Sequence, residues 1–175
     1  KLVTGVSDVC SSDLFPHGIT PNNIIAERSR PRNGALTNVL RSLRLAEQEG
    51  IGVDRMYRDM VVAGHSVPEF TDSAGRVKCV LTGGEPYPEL VRLVSSLSSE
   101  AQDDVDLVLL LDLLMRAPTV ELNAAATAIQ KSESEAKYAF DRAIRHGLVV
   151  YTNRSSVTNP KVRFSDKVRA DQIGR

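Results

Sequence analysis

Eleven residues, Val105 to Met115 (VDLVLLLDLLM), limit the possible folds more than any other stretch. Only Asp106 and Asp112 interrupt the run, so a helix built from it is apolar on nearly every side and must be covered on all of them. A bilayer span needs about 20 apolar residues, and this run falls well short. The remaining solution is a central buried helix. The following chain offers cover. Ala117-Pro118 ends the run, and Thr119 reads as the cap of a second helix carrying Val120, Leu122, Ala125, Ala126 and Ile129. Ser132-Glu133-Ser134-Glu135 has the spacing of a capping box. It opens a third helix with Ala136, Ala139, Phe140, Ala143 and Ile144 inward, and Gly147 closes it. Leu148–Thr152 and Val162–Phe164 then read as two strands around a polar loop.

Three helices followed by a two-stranded ribbon is the order of a winged helix-turn-helix over residues 105–166, with a basic tail over 167–175. The wording from Ala139 to Val149 resembles the end of the recognition helix and the first wing strand of many bacterial regulators. Such folds do not all bind DNA, so order alone fixes fold better than function. On the third helix, periodicity leaves Ser134, Lys137, Tyr138, Asp141, Arg142 and Arg145 outward. Ser134, Lys137, Tyr138, Arg142 and Arg145, with Arg154, Lys161 and Arg163 from the wing, are the candidate contacts to double-stranded DNA. Asp141 in that row, and a wing of moderate charge, keep a protein-interaction or dimerisation reading open.

Upstream, Pro31 to Val61 reads as two amphipathic helices. Leu36, Val39, Leu40 and Leu43 line one face of the first; Val53, Met56, Tyr57, Met60 and Val61 line one face of the second. Glu49-Gly50-Ile51-Gly52 lies between them. Two readings of that pair stand: Gly50 ends one helix and Gly52 eases entry to the next, or the backbone N–H groups before a helix cradle a phosphate. The run Pro31-Arg32-Asn33, a Leu-rich helix, then Glu47, Gly50, Gly52 and Arg55-Met56 resembles the "HPRN…L…L…E..GxGI.RM" pattern of the divergent GHKL-type ATP-binding domain. That domain occurs in bacterial proteins with a Schlafen-like AlbA domain, often labelled RecG-like helicases or transcriptional regulators. The resemblance runs from about Phe15 to Leu81 and implies ATP as a cofactor of the intact protein. Gly50 and Gly52 would lie at its phosphate end, with Arg32 and Asn33 beside them. The helix bearing the family's metal-binding Asn and general base has no counterpart here. No cofactor and no ATPase activity are therefore expected of this piece alone.

The fold class expected is α+β: a truncated GHKL-like ATPase subdomain over 15–84, a connecting helix and serine-rich linker over 85–104, and the separable winged helix. A short helix is expected from Thr20-Pro21, and a half-buried strand from Val77, Cys79 and Leu81. Residues 1–14 are read as outside the fold, because Val3–Leu14 resembles the in-frame translation of a sequencing adapter. On that reading the natural gene continues upstream.

Net charge is zero, but residues 131–175 carry ten Lys/Arg against five Asp/Glu, which leaves an acidic remainder and a basic end suited to an anionic partner. Cys10 and Cys79 have no metal-ligand spacing, and His17, His65 and His146 are scattered. No Walker A or Gly-x-Ser-x-Gly sequence occurs. Three functions compete: an ATP-binding transcriptional regulator that binds DNA, an ATP-dependent helicase-like enzyme fragment, and a winged helix used for protein contacts. A cytoplasmic protein with no membrane partner and a possible homodimer is expected.

Overall fold

The computed structural model describes residues 7–13 (as backbone), 15–28, 30–31, 33–45, 51–73, 75–152 and 156–173. The order is β1 (Ser7–Asp13), α1 (Gly34–Ser42), α2 (Ile51–Val62), β2 (Glu69–Ser73), β3 (Arg76–Thr82), α3 (Pro88–Ser95), α4 (Ser99–Asp103) and α5 (Val105–Arg116). Then follow β4 (Val120–Glu121), α6 (Leu122–Ile129), α7 (Glu133–Arg145), β5 (Val149–Tyr151), β6 (Lys161–Phe164), α8 (Asp166–Val168) and a wide π-type turn, Arg169–Ile173. The fold is α+β, with two small antiparallel sheets ordered β1-β3-β2 and β4-β6-β5.

Helix α5 is the centre. Asp104 caps it, its carboxylate accepting from the Leu107 amide at 3.1 Å. Leu107, Val108, Leu110 and Leu111 are fully buried. The two acids that interrupt the run are both buried and both paired. Asp106 accepts from Lys131 Nζ at 2.8 Å and from Arg142 at 3.3 Å. Asp112 takes two bonds from Arg116, at 2.9 and 3.0 Å. Unpaired, each would carry a large desolvation cost in this apolar surrounding.

Cover for α5 comes from both halves of the chain. Helices α6 and α7 pack on it from the C-terminal side, and α2, α3 and α4 from the N-terminal side. One continuous core runs from Ile25, Tyr57 and Val61 through Leu90, Leu93 and Val94 to Phe140, Val162 and Phe164. The connecting helix expected within 85–104 forms as α3, and the serine-rich linker expected after it is corrected. Helix α3 buries Leu90, Leu93 and Val94, and Ser98 caps α4 so that Ala101 enters the core. A helix apolar on all sides cannot be enclosed by two helices and a ribbon, so the polar, serine-rich stretch is drawn into its coat.

Four further differences are confined to single segments. Ser7–Asp13, read as outside the fold, pairs with β3 along its whole length, with Cys10 opposite Cys79. Residues 21–26 form successive turns in place of a helix, because the Asn23 carboxamide accepts from the Thr20 amide and hydroxyl, at 2.6 and 3.0 Å, and competes with helical pairing. Residues 69–73, for which no strand is expected above, form one against β3. Between α5 and α6 the chain adds β4, whose Val120 pairs with Val162. The capping box at Ser132 and Glu135 forms as expected, and Gly147 closes α7 at φ +69°, where a side chain would be strained. No helix among the described residues is long and apolar enough to cross a membrane.

Candidate nucleotide and nucleic-acid surfaces

The candidate nucleotide residues fall at the starts of α1 and α2. Asn33 is the N-cap of α1, and its carboxamide oxygen accepts from the Leu36 amide at 2.9 Å. Gly52 lies in the first turn of α2, exposed, with nothing within 4 Å of where a Cβ would stand. The first amide hydrogens of a helix lack intrahelical partners, the arrangement that attracts anions at helix starts. Arg32 and Gly50 lie outside the described residues. Of the arginines in the preceding loop, Arg30 is committed: it pairs with Glu27 at 2.8 Å and donates to the His17 carbonyl at 2.9 Å.

Tyr57 on α2 ties this half to the turn between α6 and α7. The Gln130 amide nitrogen donates to the Tyr57 hydroxyl at 3.3 Å, and its oxygen accepts from the Ile25 amide at 3.1 Å. Gln130 itself sits in the left-handed region, at φ +56°, as the cap of α6. Burial pushes the Tyr57 hydroxyl pKa up. Nothing in the order Ile129-Gln130-Lys131 marks this residue, since left-handed caps are ordinarily signalled by Gly or Asn.

On α7, Ser134, Lys137, Tyr138 and Arg145 are exposed, as periodicity expects. Ser134 shares a 2.9 Å hydrogen bond with Ser132. Arg142 differs from its outward assignment. Its guanidinium turns under α7 to Asp104, at 2.5 Å, and Asp106. These carboxylates raise its pKa against burial, the largest single influence, which acts the other way. In the ribbon, Lys161 pairs with Glu121, and Arg163 with Asp166 at 2.6 Å. Arg154 lies outside the described residues. Tyr151 donates to Asp141 at 3.5 Å. Of the ten Lys/Arg counted in sequence at this end, Lys131, Arg142, Lys161 and Arg163 are thus paired with carboxylates within the chain, and Lys137 and Arg145 are what α7 offers outward.

Residues 8–81 match the family described as "Putative ATP-dependent DNA helicase recG C-terminal", so this portion is similar to an ATPase-like domain related to the RecG C-terminus. Among solved structures, the chain is similar to the DIP2311 protein from Corynebacterium diphtheriae, at 30% identity and a TM-score of 0.79 over 94% of its length. It spans 35% of that chain. No curated protein matches.

Proposed function

We propose that the chain is part of an ATP-binding transcriptional regulator whose C-terminal unit, α5 to β6, is a winged helix-turn-helix that docks α7 into a DNA major groove. The observation that carries this reading is the face of α7, where Ser134, Lys137 and Tyr138 stand exposed near the helix start and Arg145 near its end. The order helix, strand, helix, helix, two strands, with β6 between β4 and β5, agrees with it. In such a module the start of the third helix reads base edges and the cations around it meet phosphate. ATP, at the turn around Gly52, is the second part of the proposal, and the RecG-like match is its support.

The test is duplex binding by the whole chain across a salt series. With Arg142, Lys161 and Arg163 held in ion pairs, about two phosphate contacts remain, so the log–log salt slope is expected near −2, at roughly 0.9 per neutralised phosphate. Lys137→Ala should cost on the order of 1–3 kcal/mol on a preferred site and less elsewhere. Absence of any salt-sensitive affinity at low ionic strength would overturn the reading. It would favour the interaction module, which has its own support in the ion-paired Lys161 and Arg163 of the wing and in exposed Tyr138, Val150, Tyr151 and Val157.

A further inference from the structure

The C-terminal end of α5 faces the last turns of the chain across a cavity of about 340 Å³. Its walls include Tyr87, Met115, Pro118 and Phe164, and the charged side chains lining it are both cations, Arg116 and Arg169. Volume and lining match those of small-molecule sites, which combine apolar walls with a few placed polar groups. Phe164 is 4% exposed and forms a firm wall. Arg116 is fixed in orientation because Nε and Nη2 each donate to Asp112. That leaves both hydrogens on Nη1 and one on Nη2, an end-on fork of the kind that takes a carboxylate by two parallel bonds. The Arg169 guanidinium also lines the cavity, and its charge acts on Asp166 only as the last and smallest of the influences on that carboxyl.

We propose that this cavity binds a small organic carboxylate with an aromatic or branched apolar body. The body lies among Tyr87, Met115 and Phe164, and the carboxylate meets the free edge of Arg116, with Arg169 as the second cation. A fully hydrated dianion such as inorganic phosphate gains nothing from apolar walls and loses its water on entering. A larger cavity of about 570 Å³ shares Tyr87, Met115 and Arg116 but adds Glu85 and Asp112 to its lining, and their charge directs an anion to the smaller space. None of the lining residues belongs to the α7 face or to the turn at Gly52, so the site stands apart from the function proposed above.

The probe is 2-naphthoate against its uncharged amide, 2-naphthamide, titrated into the whole chain by calorimetry and amide NMR. Naphthoate should bind at least about tenfold more tightly than the amide, as charge-assisted bonds to a guanidinium require. The amides perturbed should fall in 114–118 and 169–173. Arg169→Gln should weaken naphthoate several-fold and leave the amide unchanged. Arg116→Gln alone strands buried Asp112, so the paired change Asp112→Asn with Arg116→Gln is the second variant, and it should erase the preference for the acid. Equal affinity for acid and amide, no binding of either, or perturbations confined to other residues would each overturn the proposal.

Discussion

Helices α1 and α7 are both amphipathic by sequence, and the structure treats them in opposite ways. On α7, Ala136, Ala139, Phe140 and Ala143 are buried as the pattern requires. On α1 the same spacing leaves Leu36 and Val39 each 54% exposed and Leu43 61% exposed, and no residue of the helix is buried. The expected inward face of α1 is therefore corrected. Periodicity says which residues share a face, whereas burial also needs an element opposite. Helix α7 has one in α5, whereas α1 buries none of its residues.

The contrast is broken most forcefully by truncating side chains on the two faces. Phe140→Ala should cost about 3–5 kcal/mol, the range for deleting a buried aromatic, while Val39→Ala should change stability by less than about 0.5 kcal/mol. Denaturant unfolding measures both, and a large loss from Val39→Ala would mean that α1 is covered in solution.

Next in size is the dependence of α5 on its N-terminal coat. Leu93→Ala should cost about 2–5 kcal/mol, and both halves should lose structure in one transition. A piece from residue 105 onward, deprived of α2, α3 and α4, should lack native near-ultraviolet dichroism and sharp amide dispersion. A fragment that unfolds cooperatively would restore the separable module expected from the serine-rich stretch.

Gln130→Ala probes the tie between the halves more gently. It removes the partners of the Ile25 amide and the Tyr57 hydroxyl, and a loss of about 1–2 kcal/mol is expected. Gln130→Gly should cost less, because glycine relieves the left-handed backbone. Identical losses would show that the side-chain bonds, and not the backbone conformation, decide the difference.

The smallest effect is on titration, and it separates the same two regions. In the C-terminal half, Ser132 bonds to Glu135, Lys161 to Glu121 and Arg163 to Asp166, and each holds its carboxyl below the ordinary value. A depressed carboxyl contributes stability that is complete above its unfolded pKa and is lost as pH falls through the folded one. Asp54 on α2 behaves inversely: burial, the largest influence, raises its pKa, so its ionisation opposes folding and acidification through the raised value relieves that. Carboxyl-carbon NMR should find Asp54 titrating above 3.8 and Asp166 below it. A reversed order would contradict the assigned burial of Asp54.

Much of the C-terminal unit was legible because its signals are local. The apolar run of α5, the Ser132–Glu135 box and Gly147 each fix an element through bonds to near neighbours. The candidate DNA face was legible in part. Exposure of Lys137, Tyr138 and Arg145 follows from helical period, but the capture of Arg142 by Asp104 and Asp106 crosses between helices, and no spacing announces it. Likewise, Lys161 and Glu121 lie far apart in sequence and meet only because β4 pairs with β6.

By itself, the sequence determined the helices around α5 and α7, which of their faces are apolar, and that Val105–Met115 must be enclosed, because propensity, capping and period act over a few residues. Tertiary structure alone decided what encloses it, that α3 and α4 join the core, that α1 buries none of its residues, and which cations keep their charge outward. Those outcomes rest on contacts between residues distant in the chain, where the gain from burial and ion pairing depends on what the fold brings opposite.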